Sequence, residues 1–316
     1  MNPQREAYER IGSIRQVRVL VPSPPACIEE PWFADDPAMA GGAEDVVLPT
    51  TGGALSWDEL SESDPELALW CADRWLGAWR RLPQPPAHLG ATRQSLHALG
   101  EYLMSPYRRS VNGKIGLRYT YGGIGTPFVL GDRQLRIDES GLWLEGPEGV
   151  QNIPMNSLRV AGEAIGILPA PLTDLYESDL RVDIDAALIL DRGSISFIGE
   201  WFGFATSVLE QLRAEADAED AALTRVQIWP EHFDLAIELG TDSARASLGA
   251  SPGDDKHEGP YFYVAPWSSP PPSAYWDGHG FVGAQLELSA LTDVDDQRSA
   301  VLGFFRRGLV LLNESS

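Results

Sequence analysis

The sequence predicts an α+β protein made of two related α-β-β-β-α units with antiparallel sheet, preceded by an acidic N-terminal extension and an extra helix. Three observations predict it. Segments with helical apolar spacing alternate with groups of short strands. Within a group the strands are separated by turn-forming residues, as where "QLRID" and "GLWLEG" flank "ESG", which favours hairpins over parallel crossovers. The order helix, long strand, shorter strands, helix occurs twice.

Residues 1–63 read as an acidic, partly irregular arm. No Lys or Arg occurs from Val19 to Asp73, and Pro, Gly and Ala are frequent there. The first unit, 64–168, opens with a leading helix in "SDPELALWCADRWLGAWRRL", with Asp64 as N-cap and Pro65 at its first position. A second helix follows in "ATRQSLHALGEYL", carried by Leu96, Leu99 and Leu103 and stopped by Pro106. "KIGLRYTY" alternates as a strand, "GGIGTP" breaks it, and "QLRID", "GLWLEG" and "VQNIP" supply shorter strands. "NSLRVAGEAIG" starts a helix behind an Asn or Ser cap. A linker spans 169–193.

The second unit, 194–316, begins with the clearest helix of the chain. Phe197, Ile198, Trp201, Phe202, Ala205, Val208, Leu209 and Leu212 form its apolar stripe. "RVQIWPEHFDLAIELG" reads as a strand interrupted at Pro230, followed by strands in "PYFYVAPW" and "FVGAQLELSAL". "DDQRSAVLGFFRRGLVLL" is the closing helix. The helices at 91–104 and 195–216 are expected in equivalent positions of the two units.

A formal net charge of -22 speaks against nucleic acid or an anionic membrane as a direct partner, since both need cationic contact surfaces. An acidic mimic of nucleic acid is compatible with that charge and is the weakest functional alternative. Cys27 and Cys71 cannot build a disulfide framework and lack metal-ligand spacing, which suits a reducing cytoplasm. No apolar run reaches the ~18 residues of a membrane span.

Three stretches could carry chemistry. "GASPG" spells Gly-x-Ser-x-Gly around Ser251, but Pro252 has no N–H for an oxyanion hole and no helix follows, so the stretch reads as turns. "WPEHFD" carries Glu231, His232 and Asp234, and the nearby loop carries Asp254 and His257. His232, Asp234, Asp254 and His257 could ligate a divalent metal, with Glu231 as general base of a metal-dependent hydrolase. The competing expectation is a polar pocket in which His232 and Asp254 are neighbours, lined by Trp229 and Tyr261. In "NGKIGLRYTYGGIGTP", Gly123 and Gly125 could approach a ligand while Lys114 and Arg118 neutralise a small anion.

The strings "NGKIGLR", "GGIGTP", "WPEHFD" and "GASPGD", with the helix "EWFGFATSVLEQLRAEA", make the chain similar to a family of uncharacterised actinobacterial proteins. The resemblance runs from about residue 91 to the C-terminus. It implies a bacterial, cytoplasmic protein and carries no catalytic or cofactor assignment. The leading expectation is a protein that binds a small ligand or a protein partner through loops 121–127, 229–234 and 249–258. The metal-dependent enzyme is the alternative.

Overall fold

The computed structural model describes residues 79–314, apart from 121, 128–132, 147–148, 217–223 and 242–243. Ahead of them it describes residues 45–47, 54–56, 62 and 65. Strands β1 (Asp45–Val47) and β2 (Ala54–Ser56) pair antiparallel. The rest of the acidic arm, and most of the leading helix expected over 64–81, lie outside the described residues.

Each half then follows one plan. Helix α1 (Leu89–Leu99) runs through a π-helical turn (Gly100–Met104) into α2 (Ser105–Asn112). Gly113, at φ 73°, ends α2 in the left-handed conformation that glycine adopts without steric cost. Five strands follow: β3 (Arg118–Thr120), β4 (Gly123–Gly125), β5 (Gln134–Asp138), β6 (Gly141–Gly146) and β7 (Gly149–Ile153). They form an antiparallel meander closed by helix α3 (Leu158–Ile165), whose N-cap is Ser157. The second half opens with the long helix α4 (Arg192–Glu215), capped by Asp191. Its meander is β8 (Gln227–Trp229), β9 (Asp234–Leu239), β10 (Ala246–Ser251), β11 (Tyr261–Pro266) and β12 (Ala284–Glu287). Helix α5 (Gln297–Asn313) closes it.

The architecture is α+β with two antiparallel five-stranded sheets. Each half has five strands: the first adds β4 to the four strand segments named from the sequence, and the second adds β10 to three and splits one of those three into β8 and β9. The additional β4 and β10 are spelled "GIG" and "ASLGAS", short runs of small residues without the bulky β-branched signal of a strand. "WPEHFD" is not an interruption within one strand. Pro230 opens a turn, and the chain reverses from β8 into β9.

The two sheets meet edge to edge. Leu117 and Ile228 exchange backbone hydrogen bonds of 2.8 and 2.7 Å, joining the β3 edge of one sheet to the β8 edge of the other. Helix α4 lies across this seam and packs on β3, β4 and β5 as well as on β9 and β10. Trp201, Phe202, Phe204, Ala205, Val208 and Leu209 are fully buried there. A Cβ on Gly199 would sit 2.6 Å from the Gly122 carbonyl oxygen, so glycine is what allows the helix this close to the β3–β4 turn. Helix α1 packs on α4 rather than taking an equivalent place on its own sheet.

Strand alternation sorts the second sheet into two faces. Leu235, Ile237, Leu239, Leu248, Phe262 and Val264 point to α4 and α5 and are buried. The intervening residues, among them Asp234, Ser251, Tyr261 and Tyr263, point to the opposite face.

Candidate functional site

On that outer face a cavity of about 380 Å³ is lined by His232, Asp234, Ser251, Asp254, His257 and Tyr261, with Tyr263, Lys256, His279 and Phe281 completing it. Its floor is the sheet itself. Its walls are the β8–β9 turn, the β10–β11 loop and the β11–β12 connection. The first two lie at the same end of the sheet because β9 begins, and β10 ends, beside that turn.

The turn is held by unusual backbone. Phe233 has φ 51°, the one positive φ on a non-glycine among the described residues, and its N–H donates to Trp229 O at 2.8 Å. The left-handed conformation costs ~1–2 kcal/mol for such a residue. Burial of the ring offsets it: Phe233 is 2% exposed, stacked on His97 at 5.4 Å and edge-on to Phe202 at 5.4 Å.

Asp234 is the buried acid of the floor. Tyr263 donates to its Oδ2, whereas Oδ1 is buried without a hydrogen-bond partner. Burial raises the Asp234 carboxyl above its ordinary range, against the opposing pull of the Tyr263 hydrogen bond and of His232. Burial also raises the Tyr263 hydroxyl, and Asp234 adds to that shift.

Asp254 is the second acid. Its Oδ1 accepts from the backbone N–H groups of Lys256 (2.6 Å) and His257 (2.8 Å), and its Oδ2 accepts from Tyr261 (2.7 Å). Burial disfavours its anion, but these hydrogen bonds outweigh burial and hold the carboxyl below the usual range. His257 faces an oxygen at each ring nitrogen: Asp254 at Nδ1 (3.2 Å) and Gln285 Oε1 at Nε2 (3.2 Å).

The sequence reading missed what fixes these loops. Arg93, His97 and Glu101 succeed one another at four-residue intervals along α1 and its π-helical extension. Arg93, 8% exposed, donates to the carbonyls of Glu258 (3.0 Å) and Asp254 (3.2 Å) and so clamps the β10–β11 loop. His97 Nε2 lies 3.0 Å from Pro230 O and anchors the turn. Burial lowers His97 to about 4, which leaves the neutral ring to donate from Nε2. Glu101 is wholly buried and lies 3.6 Å from His97. Burial raises it to about 7, with Glu231 pushing the same way and Ser178 opposing.

The sequence-named residues therefore divide. His232, Asp234, Asp254, His257 and Tyr261 converge on one cavity. Glu231 is not among the residues lining it; its Oε2 is buried without a partner and its charge raises Glu101. Trp229 and Lys114 line a different cavity at the seam of the two sheets. Gly123 and Gly125 are committed to packing: a Cβ on Gly123 would lie 1.8 Å from the Ile137 carbonyl oxygen, and one on Gly125 2.8 Å from Arg136. Arg118 is buried on β3, paired with Gly125. The antiparallel Leu117–Ile228 bridge puts the Thr120 end of β3 and the 230–233 turn at opposite ends of the paired strands, so the expected loops do not gather at one end.

The four proposed metal ligands line one cavity, yet among the described residues no group of three or more His, Cys, Asp or Glu is arranged to hold a metal ion. Their bonding accounts for this. Asp234 is turned to Tyr263, Asp254 is filled by Tyr261 and two backbone donors, and His257 is held between Asp254 and Gln285. Ser251 is no hydrolase nucleophile in this arrangement either. It ends a strand, its Oγ accepts from the Gly253 N–H at 3.2 Å, and His257 Nε2 is directed to Gln285. Among the described residues no helix is long and apolar enough to cross a membrane. No protein-family model, curated protein or solved structure matches the chain.

Proposed function

We propose that this chain binds a small polar molecule in the cavity over the outer face of its second sheet, and that the bound group is a hydrogen-bond donor, with a primary amine the best fit. The observation that carries this reading is Asp234 Oδ1, a nine-tenths-buried carboxylate oxygen on the cavity floor with no partner. A buried acceptor without a donor is costly, ~1–3 kcal/mol, and a ligand N–H or O–H relieves that cost. An ammonium group would also counter the burial that disfavours the Asp234 anion. Tyr261, Tyr263 and Phe281 supply aromatic walls suited to a cation or an apolar stem.

The repeated order of helix, five-stranded meander and helix supports an internal duplication as the origin of the two halves. The likeness to the actinobacterial family and the sparse cysteines support a bacterial, cytoplasmic setting. Crystals soaked in a fragment set of small amines, polyols and carboxylic acids test the binding reading. Amine or hydroxyl fragments should be found within hydrogen-bond distance of Asp234. Fragments bound only elsewhere would refute it.

A further inference from the structure

The cavity over Asp234 is lined by two carboxylates and one lysine, and they are not equally engaged. Asp254 is occupied by Tyr261, by two backbone N–H groups and by His257. Asp234 accepts from Tyr263 at Oδ2 and keeps Oδ1 buried without a partner. Lys256 lines the same cavity from an exposed position. The open acid oxygen and the ammonium therefore share one space of about 380 Å³ without meeting across it.

Their positions set an order from floor to mouth. Asp234 begins β9 on the sheet and is 8% exposed. Lys256 stands in the β10–β11 loop, where its backbone N–H donates to Asp254 at 2.6 Å. Its stem leans toward the β11–β12 connection: a Cβ on Gly280 would lie 3.0 Å from Lys256 Cδ and 3.7 Å from Nζ. Gly280, at φ 81°, combines that backbone conformation with the bare surface the stem needs. The ammonium is thus held between two of the cavity's walls, at its mouth. Asp255 and Glu258, the loop's other acids, are not among the lining residues, and both act on Arg93.

The lining also carries aromatic rings. Phe281 meets Tyr263 edge-on at 6.1 Å, and the Tyr263 ring lies 6.2 Å from that of Tyr261. A Cβ on Gly283 would fall 2.7 Å from Phe281 Cε2, so glycine leaves the room that seats this ring. Rings of this kind suit the apolar stem of a ligand whose polar groups lie at its ends.

We propose that the ligand of this cavity is a zwitterionic amino acid whose two charges are separated by a short methylene chain, with its ammonium on Asp234 Oδ1, its chain along Tyr263 and Phe281, and its carboxylate at Lys256. This rests on the reading of the cavity as an amine site and adds the ligand's second charge. It also fixes the direction of binding, ammonium at the floor and carboxylate at the mouth.

Saturation-transfer NMR titrations of the full chain at neutral pH test it, with two matched pairs: 4-aminobutyrate against propylamine, and 6-aminohexanoate against pentylamine. Each amine is its amino acid without the carboxylate. In at least one pair the amino acid should bind about threefold or more tightly than the amine, the value of one exposed ion pair. Lys256→Met, a change at an exposed side chain, should erase that difference. Asp234→Asn should weaken both members of the pair about tenfold or more. Amines that do not bind at all would overturn the amine reading and this inference together. Amines that bind as tightly as their amino acids in both pairs, or a difference that survives in Lys256→Met, would overturn this inference alone.

Discussion

Tyr263 reaches Asp234 by lying across Gly249: a Cβ on that glycine would sit 2.4 Å from both Cζ and the hydroxyl oxygen of the tyrosine. Tyr263 is on β11 and Asp234 on β9, and in the ladder Gly249 of β10 stands between them, opposite Tyr263. The missing side chain is what lets one hydrogen bond span two strands. Gly249→Ala should therefore expel the ring, break the bond to Asp234 and leave a buried carboxyl with neither oxygen satisfied. A loss of ~1–3 kcal/mol in urea unfolding is expected. Tyr263→Phe should lose a comparable amount. Wild-type stability in both variants would show that the bond contributes nothing to the fold.

The buried pair His97 and Glu101 sets a pH dependence of two opposed slopes. Glu101 is raised from 4.5 to about 7, so the fold binds its proton more tightly than the unfolded chain does. The stability it contributes is full below pH 4.5 and is lost as pH rises through 7. His97 is lowered from 6.5 to about 4, so its contribution is present above pH 6.5 and is lost as pH falls through 4. Glu101→Gln keeps the shape and removes the first slope. The variant should gain on wild type between pH 4.5 and 7, by at most about 3 kcal/mol. Chemical denaturation across that range checks it, and a difference that does not change with pH would contradict it.

Arg93 clamps the β10–β11 loop through two backbone carbonyls. Arg93→Met should release that loop while keeping the aliphatic packing on α1. Hydrogen exchange at the amides of Lys256 and His257, which are tied to Asp254, should speed up by about tenfold or more. Amides of β9 should be unchanged. Equal acceleration in both places would mean general destabilisation instead of a clamp.

Ser251 should resist a fluorophosphonate probe, because His257 is engaged with Asp254 and Gln285 and Pro252 offers no N–H. Mass spectrometry of the treated protein checks this. An adduct on Ser251 would contradict it.

Much of the α+β plan was legible because long amphipathic helices and turn-flanked strands leave periodic signals, as in the stripe from Phe197 to Leu212. The grouping of His232, Asp254 and Tyr261 was legible from Pro230, read as a break in one strand next to a turn-rich loop, whereas the break is a full reversal between two strands. β4 and β10 were not, because "GIG" and "ASLGAS" are strands by virtue of their neighbours. Their small residues make room for Asp138, Arg136 and the Tyr263 ring, and that need appears only once the sheet is assembled. The row Arg93, His97 and Glu101 has readable helical spacing, but its partners are carbonyls 133 to 165 residues away and leave no local trace. The cavity shared by Lys114 and Trp229 depends on the bridge between two sheet edges, which no sequence period encodes.

Three of the five histidines, His232, His257 and His279, line the Asp234 cavity, so histidine ring signals report directly on its occupancy. The decisive measurement is a ¹H–¹³C NMR titration of histidine-labelled protein with ethanolamine, compared with propionate, in wild type and Asp234→Asn. Saturable shifts of those three signals with ethanolamine, weak or absent with propionate and lost in Asp234→Asn, are the predicted result, with the His88 signal unmoved. Signals that stay still with ethanolamine, or shifts that persist in Asp234→Asn, would contradict the assignment of this cavity as the binding site.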